Sequence, residues 1–149
     1  MIPAATNAAP VSSAGTILAF DFGTRRTGVA VGEASLGLAH PLTTIDAQDD
    51  DERLAAIAAL IAEWRPSALV VGLPTHADGM PHQTTARARS FAQRLESRFG
   101  LDVALVDERY TSEAADAALC RVAARKRKPL RDRVAAQIIL QAWFDQHRA

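Results

Sequence analysis

Residues 17–32 read Ile-Leu-Ala-Phe-Asp-Phe-Gly-Thr-Arg-Arg-Thr-Gly-Val-Ala-Val-Gly, two apolar runs on either side of a short polar stretch. The first run, residues 17–22, is interrupted only by Asp21 and ended by Gly23. An apolar run of that length between turn residues predicts a buried strand. Residues 27–32 predict a second strand, and Thr24-Arg25-Arg26 between the two is short enough for a hairpin. Residues 36–44 are expected to add a third, with Pro41 marking an edge because proline cannot donate to a ladder.

Working outward, the acidic run Asp49-Asp50-Asp51-Glu52 opens an amphipathic helix to about Trp64, which Pro66 stops. Residues 68–73 are the clearest buried strand, and a loop over 74–81 follows. A helix is expected over 82–99, where Ala88, Phe91, Ala92, Leu95 and Phe99 recur at three- and four-residue steps before Gly100. Residues 103–106 form the last strand and run into Asp107-Glu108-Arg109. Thr111 or Ser112 caps a helix over 113–124, Pro129 ends a basic segment, and a final helix is expected over 132–147. This order, β-β-β-α-β-α-β-α-α, predicts an α/β fold. Its mixed five-stranded sheet is antiparallel through the first three strands, parallel at the fourth and fifth, and flanked by helices on both faces. In such sheets chemistry gathers beyond the carboxyl ends of central strands.

The chain has 149 residues, 48% of them hydrophobic and 23% charged, which fits one globular domain over 16–149 behind a flexible tail over 1–15. That composition excludes a mainly disordered, collagenous or membrane-embedded chain. Cys120 is the only cysteine, so an internal disulfide and a CxxC site are excluded, and a reducing cytoplasm is the simplest compartment. The first fifteen residues lack the basic start and apolar stretch of a secretory signal.

A net charge of zero hides an asymmetry: residues 1–75 carry four Arg and eight acids, and residues 76–149 carry thirteen basic residues and nine acids. The basic excess peaks at Arg121, Arg125, Lys126, Arg127, Lys128, Arg131 and Arg133, against the single acid Asp132. A solvated loop would account for this cluster; so would a polyanion partner, since arginine forks onto phosphates.

Three acids stand where chemistry is expected. Asp21 interrupts an apolar strand on the face of Ile17 and Ala19, so it either caps the following turn or meets a cation. Glu108 occupies the equivalent end of another strand, unless it pairs with Arg109 or an Arg of the basic segment. Asp132 shares a helix face with Ala135, Ala136, Ile139 and Trp143, and taken alone is a helix cap. Together they can converge on one sheet edge, where three carboxylates repel unless a divalent cation offsets them. Hard oxygen donors suit Mg²⁺ or Mn²⁺; zinc is disfavoured because the four His show no ligand spacing. The Asp-Phe-Gly-Thr-Arg-Arg-Thr-Gly turn can also offer backbone N–H groups to a phosphate, with Arg25 and Arg26 adding charge, although it is not a P-loop.

Four segments in order resemble the pre-16S rRNA nuclease family, also called YqgF-type or Holliday-junction-resolvase-like. They are AFDFGTRRTGVAVGE at 19–33, LVVGLPTHADG at 69–79, VDERYTS at 106–112 and RDRVAAQIILQAWFD at 131–145. The resemblance implies a ribonuclease-H-like fold, with catalytic and metal-ligating roles for Asp21, Glu108 and Asp132. It also implies a metal-dependent endonuclease in the cytoplasm that trims the 5′ end of the 16S rRNA precursor. The expected mechanism uses two Mg²⁺ or Mn²⁺ ions, one activating water and one stabilising the leaving 3′-oxygen. Arg25, Arg26, Arg109, Arg125, Lys126, Arg127, Lys128 and Arg131 are expected to contact substrate phosphates, and Thr111 to position the Glu108 loop. His76 and His82 stand outside the catalytic set. Thr75-His76-Ala77 and Thr24-Arg25 depart from the family's usual Asn- and Lys-containing segments, which bears on substrate contacts.

The expected partner is RNA, within an rRNA precursor or pre-ribosomal particle, bound by a monomer or homodimer with no membrane involved. A Holliday-junction resolvase cutting branched DNA and a non-catalytic RNA-binding factor are the alternatives. An actin-like ATPase is disfavoured because that class needs two such lobes.

Overall fold

The expected hairpin forms between β1 (Thr16–Asp21) and β2 (Arg26–Glu33), which pair antiparallel in a register that sets Asp21 beside Gly28. The structure, a computed structural model, describes residues 15–23, 25–73, 83–107 and 124–147, with the backbone alone at 83–84 and 124–131. The tail expected over 1–15, except Gly15, the loop over 74–81 and residues 113–123 of the helix expected over 113–124 lie outside the described residues.

β2 pairs antiparallel with β3 (Leu38–Asp46), and the register slips between Val29 and Ala30, opposite Thr43 and Pro41. Leu42 is thus the extra residue of a bulge. β1 pairs parallel with β4 (Ala68–Leu73), and β4 with β5 (Asp102–Asp107), giving the order β3-β2-β1-β4-β5. Pro41 does lie on an edge strand, as expected.

Strand alternation divides the core into two layers. Leu18, Phe20, Leu69 and Val71 face α1 (Asp50–Trp64) and α2 (Gln83–Phe99), meeting Leu54, Ile57, Phe91 and Leu95. Ile17, Ala19, Val70 and Val106 face the last helix, α3 (Ala124–Gln146), and meet Ala136, Ile139, Leu140, Trp143 and Phe144. Burying each large aliphatic side chain fully contributes about 1.5–3 kcal/mol, so each face holds its helices firmly. Asp49 caps α1 by accepting a hydrogen bond from the Glu52 N–H at 2.9 Å, and Arg65 in the left-handed region ends the helix before Pro66. Among the described residues no helix is long and apolar enough to cross a membrane.

One boundary is corrected. The basic segment was expected to end at Pro129, with a new helix starting at Asp132; instead α3 starts at Ala124 and runs through both. A proline this close to a helix start removes only one hydrogen bond, to the Arg125 carbonyl, while burial of the apolar face from Ala135 to Phe144 holds the rest. Asp132 is therefore interior to the helix and does not cap it.

α3 also covers the start of one edge strand, β3. The Gln141 side chain accepts from the Ala39 N–H at 3.1 Å and donates to the Gly37 carbonyl at 2.9 Å, while Gln137 donates to the Ala39 carbonyl at 3.0 Å. These bonds occupy backbone groups of β3 that would otherwise invite another strand.

Candidate active site

On the α3 face of β2, alternation puts only small residues in line: Gly28, Ala30 and Gly32. They form a smooth track for the helix. A Cβ at Gly28 would stand 1.9 Å from the Asp132 carbonyl oxygen and 2.9 Å from the Arg133 nitrogen. One at Gly32 would stand 2.7 Å from the Phe144 ring. Ordinary carbon contacts need about 3.5–4.0 Å, so only glycine permits this seating. The seat fixes where Asp132 lies: over Gly28, the register partner of Asp21.

Asp21 ends β1 on the same face as Ile17 and Ala19, hence toward α3. Its neighbours across both ladders are glycines, Gly28 on β2 and Gly72 on β4. The place a side chain would take at Gly28 is filled by the Asp132 carbonyl, so the α3 backbone passes beside Asp21 at the carboxyl end of the sheet's central strand. Two of the three expected acids, Asp21 and Asp132, therefore share one face and one edge of the sheet. Glu108 lies outside the described residues, as do Arg109 and Thr111, and the side chains of Arg125, Lys126, Arg127, Lys128 and Arg131. Among the described residues, no group of three or more His, Cys, Asp or Glu stands together.

Arg26 and Arg25 border this edge, and each already holds a carboxylate. Arg26 Nε donates to Asp132 Oδ2 at 3.0 Å, the side chains being 37% and 21% exposed. Arg25 Nε donates to Asp46 Oδ1 at 3.1 Å, in a pair that is 63% and 60% exposed. The second pair lies in high dielectric and contributes little. The first is partly sheltered; it steadies the Asp132 carboxylate and lowers the repulsion between acids at this edge. Gly23, Arg25, Arg26, Asp46 and Asp132 line an open hollow of about 420 Å³.

The donor set is chemically suited to a hard divalent cation. Asp21 and Asp132 belong to one face of the sheet, and carboxylate oxygens are the donors such a cation takes. Asp46 and the track of small residues were not singled out in the sequence, although the track was visible there as Gly-x-Ala-x-Gly at 28–32.

Against known proteins, a sequence profile of the RuvX family, described as "Holliday junction resolvase", matches residues 15–146. A protein of Nitrosospira multiformis named "Putative pre-16S rRNA nuclease" is 54% identical over 138 residues, covering 91% of this chain and 91% of its own. A protein of the same name from Chromobacterium violaceum is 58% identical over 132 residues, covering 87% of this chain and 96% of its own. Among solved structures, the fold matches Thermus thermophilus RuvC in complex with Holliday junction substrate. The TM-score is 0.53 at 15% identity, covering 89% of this chain and 94% of that one. It also matches the Fowlpox virus resolvase, with a TM-score of 0.56 at 8% identity, covering 88% of this chain and 97% of that one. Both likenesses establish the fold alone, a ribonuclease-H-like one.

Proposed function

Because the chain belongs to the RuvX Holliday junction resolvase family, we propose that it is a metal-dependent endonuclease of the cytoplasm, with the 5′ end of the 16S rRNA precursor as its substrate. The observation that supports this reading best is the seating of Asp132 over Gly28, the strand partner of Asp21. It gathers two carboxylates from residues 111 positions apart at the carboxyl edge of the central strand. The names of the relatives favour an RNA substrate.

Asp21, Glu108 and Asp132 are the proposed metal ligands. Glu108 is assigned by its place in the sequence directly after β5, whose Ala104 and Val106 pack on the α3 face, the face of Asp21. Bound by these carboxylates, Mg²⁺ or Mn²⁺ supplies an activated water and offsets charge on the departing 3′-oxygen. Arg26 keeps Asp132 oriented through its Oδ2 oxygen. Arg25, Arg109 and the basic segment (Arg125, Lys126, Arg127, Lys128 and Arg131) grip phosphates on either side of the cut. Thr111 steadies the chain beside Glu108.

The test incubates the wild type and Asp21→Asn with an rRNA precursor end, a four-way DNA junction and unstructured RNA, in Mn²⁺ or EDTA. The proposal expects Mn²⁺-dependent cleavage of the precursor by the wild type alone. Preference for the junction would make it a resolvase, and RNA binding without cleavage would make it a non-catalytic factor. Neutralising Lys126, Arg127 and Lys128 together is expected to weaken RNA binding. It should also flatten the dependence of log affinity on log salt by about 2, at roughly 0.7 for each phosphate no longer neutralised. An unchanged slope, measured by fluorescence anisotropy, would remove the segment from the interface.

A further inference from the structure

On the other face of the sheet, behind the turn that follows Asp21, the structure holds a second cationic feature. Phe22 points away from Asp21, toward α1 and α2, and helps line a cavity of about 170 Å³ with Asp50, Arg53, Arg87, Ser90 and Arg94. Arg53 is only 2% exposed. Its guanidinium donates to Asp50 Oδ1 at 2.5 Å and to the Gly23 carbonyl at 3.3 Å, and lies 5.0 Å from the centre of the Phe22 ring. Arg94 takes the other oxygen of the same carboxylate, Asp50 Oδ2, at 3.0 Å. Arg87 lines the cavity as well, and among the described residues it engages no carboxylate.

The charge balance of the lining favours an anionic occupant. Three guanidinium groups converge on one cavity whose single carboxylate has both oxygens in use. Arg53 is buried and paired with Asp50, whereas Arg87 and Arg94 are exposed; like charges brought together repel, and an anion seated among them offsets that repulsion. The groups that remain are forked N–H donors and a serine hydroxyl, which match the oxygens of a phosphate. A groove continues from the cavity along α2 past Gln93, Ser97 and Arg98, with Asp51 of α1 on its other side. Arg87, Arg94 and Arg98 fall on one face of that helix at seven- and four-residue steps.

We propose that this cavity is a phosphate-binding site that holds a backbone phosphate of the nucleic-acid strand outside the cleavage edge. The inference rests on the nuclease reading for its ligand. The strand crosses the carboxyl edge of the sheet, with Asp21 on one face and the arginine cavity on the other. Residues 21–23 join the two sites directly, because Arg53 grips the Gly23 carbonyl and covers Phe22. A phosphate seated there holds the strand in register with the acids.

The experiment measures binding of a labelled single-stranded RNA to the full chain in EDTA, where no cleavage occurs, for the wild type and Arg87→Gln/Arg94→Gln. The double variant leaves Arg53 paired with Asp50, and its melting temperature verifies folding. Its dissociation constant is expected to rise about tenfold, with the salt slope reduced by roughly 0.7, the value for one neutralised phosphate on a single strand. A second arm titrates inorganic phosphate into the wild type and follows the arginine Nε–Hε resonances, with those of Arg53, Arg87 and Arg94 expected to shift. RNA binding by the double variant equal to wild type, at the same slope, overturns the proposal, and so does an unresponsive set of arginine resonances. Phosphate shifts without any change in RNA binding overturn the assignment to the strand. Failure of the nuclease reading registers separately, as unimpaired cleavage by Asp21→Asn.

Discussion

Asp21→Asn is expected to lower cleavage by on the order of 10³-fold or more while leaving the metal-free protein at least as stable as the wild type. The amide keeps the shape of the carboxylate and the backbone pairing of Asp21 with Gly28 and Gly72. What it removes is the negative charge that a divalent cation requires, and with it repulsion toward Asp132. A residue that was merely structural would behave in the opposite way, losing stability with activity intact. Single-turnover cleavage beside thermal melting in EDTA separates the two outcomes. A large fall in melting temperature with normal cleavage would make Asp21 part of the scaffold.

Gly28→Ala is expected to have a large effect on stability, larger than Gly32→Ala. The new carbon would stand 1.9 Å from the Asp132 carbonyl oxygen and 2.2 Å from its carbonyl carbon. Both are backbone atoms of α3, so no rotamer change relieves the clash and the helix must move off the sheet. Overpacking a core costs about 1–3 kcal/mol and sometimes more; a clash with helix backbone belongs at the upper end. For a chain of this size each kcal/mol lowers the melting temperature by about 2–4 °C. Cleavage is expected to fall as well, because the shift carries Asp132 away from Asp21. An unchanged melting temperature would mean that α3 is not seated as described.

The difference between what the residues announced and what they concealed has a physical pattern. The hairpin, the edge position of Pro41 and the face of Asp21 followed from local alternation and turn chemistry, which act over a few residues. The start of α3 did not. Pro129 and the surrounding charges argue locally for a break, and what carries the helix through them is the apolar face packed on strands about a hundred residues earlier. The ion pairs behave likewise: nothing near Arg26 in the sequence announced Asp132, which the fold brings to it across 106 positions. Asp50 read as an ordinary first-turn acid of a helix until the fold set Arg53, Arg87 and Arg94 around it. The track at Gly28, Ala30 and Gly32 was legible in principle, since three small residues on one face of a strand mark where another backbone comes close.

Direct Mn²⁺ binding tests the shared carboxylate site without reference to any substrate. Titration of the wild type and of Asp21→Asn, Glu108→Gln and Asp132→Asn singly, read by electron paramagnetic resonance of the free ion, gives each residue's share in holding the metal. The expected result is a loss of affinity of about tenfold or more for every one of the three, with circular dichroism unchanged. Wild-type affinity in any one of the variants would contradict the convergence of these three side chains on a common ion.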